Sequence, residues 1–209
     1  VVHVFLPIDV KTNVVEKALQ EKMPSLQVTV FGRFRDFEDG ITNGKPDAVL
    51  SIRPVLEQHG KQVTLQGQRG GKGQEPYVIA SINTVLVGAL VGKTIGVVDF
   101  LGREQTQSFL GGLLMTRELK VKRVAKVEDL LPLLEFSAAD GIVLPAVMLT
   151  RMMERTRLSL KSREVPGGMV GLPAVAILNP LMKDVVAKVF KEMDSETKTL
   201  LGIDAWSVR

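Results

Sequence analysis

Residues 47–59 read Asp47-Ala-Val-Leu-Ser-Ile-Arg-Pro-Val-Leu-Glu-Gln-His59, and residues 140–152 read Asp140-Gly-Ile-Val-Leu-Pro-Ala-Val-Met-Leu-Thr-Arg-Met152. Each begins with an acid, runs through a short apolar stretch of strand type and passes directly into a helical pattern. The two stand 93 residues apart, and that offset aligns more than one strand: 2–6 falls on 95–99, and 26–31 falls on 119–124. Further along, small insertions lengthen the offset, and 62–66 meets 157–161 while 77–80 meets 174–177. A long repeat occurring only twice does not build a solenoid. It predicts two similar lobes.

Helical patterns separate the strands. Asn13 and Glu16 have the spacing of a capping box, and Val14, Val15, Ala18, Leu19 and Met23 form an apolar stripe behind them. In the second half the equivalent stripe is Phe109, Leu110, Leu113 and Leu114, within 103–116. Shorter helices are expected at 34–42, 127–134, 54–59 and 145–154, so each half reads β-α-β-α-β-α-β-β. Alternating strands and helices favour a largely parallel sheet covered on both faces. Two helices without counterparts follow, at 181–193 and 195–201, and their stripe of Leu181, Val185, Val186, Val189, Phe190 and Met193 needs a surface to cover. Placed on the first lobe, they make it discontinuous. The expected fold is α/β and two-lobed, with 1–84 plus 175–209 as the first lobe, 85–174 as the second, and a ligand cleft between them.

Composition narrows the function. A chain of 209 residues with 45% apolar and 24% charged residues buries a full core. Without cysteine it has neither a disulfide framework nor a thiolate metal site. The apolar run 85–91 is far shorter than the ~20 residues of a membrane-spanning helix, so no direct insertion into a bilayer is expected. The net charge of +4 is spread among acids. Its densest basic stretch, 117–126, alternates with apolar residues like a strand with one solvated face, so nucleic acid is not an expected partner. His3 sits in an apolar strand and His59 at a helix end, neither with a partner at metal spacing, so no metal, cofactor or histidine-based catalysis is expected. The segment 88–94 has one residue too few between its glycines for a phosphate loop, and Gly70-Gly-Lys-Gly73 reads as a hairpin tip.

Parallel α/β sheets bind ligands beyond the carboxyl ends of their strands, where helix N-termini favour anions. The candidate ligand residues at those ends are Asp9, Ser51, Arg53, Asn83, Asp99, Arg103 and Thr106. Arg53 and Arg103 each stand at a predicted helix start, where a cation opposes the macrodipole. A bidentate clamp on a carboxylate or phosphate would account for that placement, and so would a solvated residue or a local pair with Glu57 or Glu104. Ser51 and Thr106 are ligand donors or helix caps. Asp99, ending its strand, touches ligand or caps the helix after it.

With this order of elements, the chain resembles the type II periplasmic substrate-binding proteins of ABC transporters, closest to the phosphate, phosphite and phosphonate branch. The carrying residues are Val4-Phe-Leu-Pro7, Phe37-Glu-Asp-Gly-Ile-Thr-Asn-Gly-Lys-Pro-Asp-Ala-Val-Leu50, Gly92-Lys-Thr-Ile-Gly-Val-Val-Asp99, Met193-Asp194 and Leu201-Gly-Ile-Asp204. The resemblance implies an extracytoplasmic, non-enzymatic binder whose two lobes close on a small anionic ligand and present it to a transporter permease or a sensor kinase. The chain departs from the family's hydroxyl-rich turns at Phe100-Leu-Gly-Arg-Glu-Gln-Thr106 and at Leu144-Pro-Ala146, which makes a larger or partly apolar anion as good a candidate as phosphonate. An enzyme acting on a small carboxylated metabolite and the effector domain of a transcription regulator are the alternatives on such a frame.

Overall fold

A computed structural model of the chain describes residues 1–88, 90–116 and 118–209. Within the apolar run 85–91 and the basic stretch 117–126, Ala89 and Arg117 therefore lie outside the described residues. The chain forms two compact units, Val1–Gln74 with Gly171–Arg209, and Glu75–Val170. The sequence-based boundaries at 84/85 and 174/175 stand ten and four residues further along.

The first unit is built on β1 (Val2–Phe5), β2 (Val28–Val30), β3 (Ala48–Ile52) and β4 (Leu65–Gln68), joined by α1 (Thr12–Lys22), α2 (Phe34–Gly44) and α3 (Arg53–Gln58). The second carries β5 (Gln74–Ile82), β6 (Thr94–Val98), β7 (Lys120–Val124), β8 (Gly141–Pro145) and β9 (Leu160–Gly171) with α4 (Arg103–Leu113), α5 (Leu130–Glu135) and α6 (Ala146–Arg155). The chain then returns through β10 (Pro173–Ile177), α7 (Lys183–Glu192), α8 (Ser195–Leu200) and β11 (Ala205–Val208). The sheets run β11-β4-β10-β3-β1-β2 and β7-β6-β8-β5-β9.

Both sheets are mixed rather than mostly parallel. β1 is parallel to β2 and β3, and β6 to β7 and β8, but β10 lies antiparallel against β3 and β5 antiparallel against β8. The repeat explains the pattern: β5 follows β4 in the chain yet joins the second sheet, and β10 follows β9 yet joins the first. Each unit thus takes its fourth strand from the other half of the chain. Sequence periodicity reveals a strand's existence but not its sheet, so the expected first lobe, 1–84, takes in β5, whereas β5 pairs with β8 in the second sheet.

The tail covers the first unit, as its stripe requires. Val186, Phe190 and Met193 are buried in one core with Val2, Val4, Leu19, Leu50 and Val175, and the Phe190 ring meets Trp206 edge-on at 5.3 Å. The stripe is narrower than predicted, since Leu181 is 90% exposed and Val185 44%. A separate aromatic cluster joins Phe5, Phe31, Phe34 and Phe37 with His3 and His59. Burying a Phe side chain such as Phe5 or Phe37 contributes roughly 1.5–3 kcal/mol.

The capping box does not form. Helix α1 starts two residues earlier, after Lys11, and Glu16 instead accepts a hydrogen bond from the Val30 amide at 2.9 Å, while Gln20 bonds the backbone of Met23, Leu26 and Val28. Those contacts fix β2 against α1. The hairpin tip does form: Arg69 and Lys72 exchange backbone hydrogen bonds of 2.9 and 3.1 Å across Gly70 and Gly71, whose φ angles of 56° and 74° suit glycine.

Candidate functional site

At the carboxyl end of the first sheet, β3 runs into α3 with no intervening loop. Ser51 is fully buried there, and its hydroxyl donates to the Phe5 carbonyl at 2.6 Å, tying the ends of two parallel strands together. It caps no helix, because Ile52 is the N-cap residue of α3. Arg53 is the first residue of that helix, and its Nε donates to Glu57 at 2.6 Å, one turn along, with 39% and 56% of the two side chains exposed. An exposed pair of this kind contributes little stability, and its guanidinium keeps further donors for another partner. Asp9 is half-buried in the bend between β1 and α1.

At the carboxyl end of the second sheet the structure brings three side chains together. Asp99, just past β6, accepts from the Thr106 hydroxyl at 3.0 Å and from Arg123 on β7 at 2.7 Å. Thr106 is fully buried and its oxygen also accepts from the Leu101 amide at 3.2 Å, which pins the loop entering α4. Arg103, exposed at the head of α4, follows Gly102, whose φ of 81° lets the chain turn into the helix. Asn83 is exposed after β5 with a φ of 62°, its amide donating to the Ser159 carbonyl at 2.8 Å.

Sequence reasoning missed Arg123. It read the Lys-Val-Lys-Arg-Val run as a solvated strand face, and alternation carries no sign that one member pairs with an acid on the neighbouring strand. Two cavities border α4. One, of about 650 Å³, is lined by Glu104, Gln107, Ser108 and Thr116 among others; a smaller one, of about 260 Å³, is walled by Leu90, Val91, Leu113 and Met115. Among the described residues no group of acids and histidines is placed to hold a metal ion, and no helix is long and apolar enough to cross a membrane.

No family model matches the chain, and no curated protein matches it. Solved structures do. A substrate-binding protein of an amino acid ABC transporter superposes with a TM-score of 0.65 at 18% identity, over 96% of each chain. The arginine-, lysine-, histidine-binding protein ArtJ of Geobacillus stearothermophilus gives 0.67 at 14% identity, over 96% of this chain and 93% of its own. The periplasmic VFT2 domain of BvgS from Bordetella pertussis gives 0.58 at 14% identity, over 96% and 91%. The first two of these are named for amino acids, so the phosphate, phosphite and phosphonate branch expected from the sequence gains no support. The chain has the two-lobed fold of the type II periplasmic binding proteins.

Proposed function

We propose that this chain is a non-enzymatic binder that works outside the cytoplasm, closing two lobes on a small ligand bearing a carboxylate, an amino acid or a close relative. The observation that carries the reading is the superposition on an amino acid transporter's binding protein over nearly all of both chains. Chemistry supports it further. Arg53 and Arg103 each open a helix at the carboxyl end of a sheet, one in each unit, and a guanidinium there recognises a carboxylate through paired hydrogen bonds. Of the remaining sequence candidates, Asp9 and Asn83 stay proposed contacts on the loops after β1 and β5. Ser51, Asp99 and Thr106 act by holding the strand ends and the α4 entry in shape.

In this reading ligand binding is linked to hinge closure, and the closed form presents a different outer surface to its membrane partner, a transporter permease or a sensor. The direct test is native mass spectrometry of the protein as purified, followed by melting curves with each common L-amino acid at about 1 mM, a concentration that reveals sites of micromolar Kd. A retained mass in the amino acid range, or a melting temperature raised by one of the panel, is expected. No retained mass and no shift with any member would sink the amino acid reading.

A further inference from the structure

Gly171 is buried at the end of β9, at the point where the chain re-enters the first unit. A methyl group in place of its hydrogen would stand 2.8 Å from Cβ of Arg53 and 3.7 Å from both the Cδ and the backbone nitrogen of that residue. Carbon atoms in favourable contact are ~3.5–4.0 Å apart, so 2.8 Å is a collision. The atom struck is the root of the Arg53 side chain, fixed to the first turn of α3, and rotation about the side chain's outer bonds gives no relief. Gly171 is not among the glycines with positive φ, so its backbone conformation suits any residue. The demand for glycine comes from close approach alone.

A buried amide keeps the returning strand in that place. Gln66 on β4 is 2% exposed, and its Nε2 lies 3.0 Å from the Leu172 carbonyl, 3.3 Å from that of Gly73 and 3.1 Å from that of Gly67. Gly73 is the last residue before β5 and Leu172 the first after β9, so one side chain bonds both connections between the units. The Leu172 amide also donates to the Gly73 carbonyl at 3.0 Å. For Gly171 to retreat from Arg53, these hydrogen bonds must break in a site closed to water, where unpaired polar groups are costly.

We propose that Gly171 is a positioning residue for Arg53: the returning strand, held by Gln66, is the wall against which the first turn of α3 is set, and it fixes the direction of the guanidinium. The idea rests on Arg53 as a ligand residue for its functional meaning, but its test needs no ligand. The Arg53 Nε–H signal in a nitrogen-correlated NMR spectrum, assigned by its loss in Arg53→Lys, reports the pair with Glu57. Gly171→Ala is expected to move that signal in folded protein and to lower the melting temperature. Placed in an Arg53→Gly background, where the struck atom is gone, the same substitution is expected to cost less than half as many degrees.

An unmoved Arg53 signal in folded Gly171→Ala protein, or an equal loss of melting temperature in both backgrounds, overturns the proposal. If Gly171→Ala does not fold alone, the double variant decides: soluble, folded protein supports the collision, and its failure to fold where Arg53→Gly folds refutes it. The functional reading fails separately, when Arg53→Lys and Arg53→Ala leave every response to the amino acid panel unchanged.

Discussion

Arg53 pairs locally with Glu57, which is itself more than half exposed. Exchanging that pair for a ligand carboxylate in a less hydrated place is the change a binding site exploits. Arg53→Ala is therefore expected to weaken ligand binding about 10-fold to 100-fold, equivalent to ~1.4–2.8 kcal/mol, measured by calorimetry. Thr106→Val is expected to act on stability, because the fully buried hydroxyl both donates to Asp99 and accepts from Leu101. Losing it removes both of these hydrogen bonds from a buried place, a cost of ~1–3 kcal/mol that chemical denaturation would measure.

The two histidines carry the pH dependence at this scale. Burial lowers the pKa of His3, helped by the N-terminal ammonium, and burial also lowers that of His59, where Glu38 opposes it and Lys61 adds to it. Nδ1 of His3 and Nε2 of His59 have no hydrogen-bond partner, and both rings pack on phenylalanines. The folded state thus holds fewer protons than the unfolded state once pH drops below about 6.5. The stability from keeping these rings neutral is complete above that pH and declines as pH falls from it toward their lowered folded values. Melting temperature is expected to drop between pH 7.5 and pH 5, and the drop should shrink in His59→Phe. An unchanged pH profile in that variant would count against the assignment.

Among the elements, α7 shows what single-sequence periodicity delivers. Its stripe predicted a helix needing cover, and Phe190 is fully buried against the first sheet's core. Phe190→Ala is expected to cost roughly 3–5 kcal/mol and to lower the melting temperature by on the order of 10 °C. Element order and type were legible because buried faces impose their periods on the sequence. The α1 start was not, because Asn13 and Glu16 match a local motif while Glu16 is drawn to the Val30 amide, 14 residues away in the chain. The candidate site was legible only by position: strand ends and helix starts drew attention to Arg53, Asp99 and Thr106. Their partners Phe5, Arg123 and Gly171 come from other strands, and contacts of that range leave no spacing in the sequence.

For the molecule as a whole, the internal repeat was the deepest signal available, and it foretold two matching units while concealing their membership. β5 and β10 are similar in sequence position and exchanged in location. If the proposed hinge closure occurs, small-angle scattering should show a smaller radius of gyration when a binding amino acid is added, and no change with one that leaves the melting temperature alone.

That exchange has a consequence for ancestry. A polypeptide holding only one copy of the repeat would lack a resident occupant for the slot beside its third strand, while extending a homologous strand outward. The simplest way to fill both is reciprocal donation between two identical molecules, a swapped homodimer that fusion of duplicated genes would later make permanent. A fragment spanning 93–178, expressed alone, is expected to sediment as such a pair, with its final strand lodged in its twin.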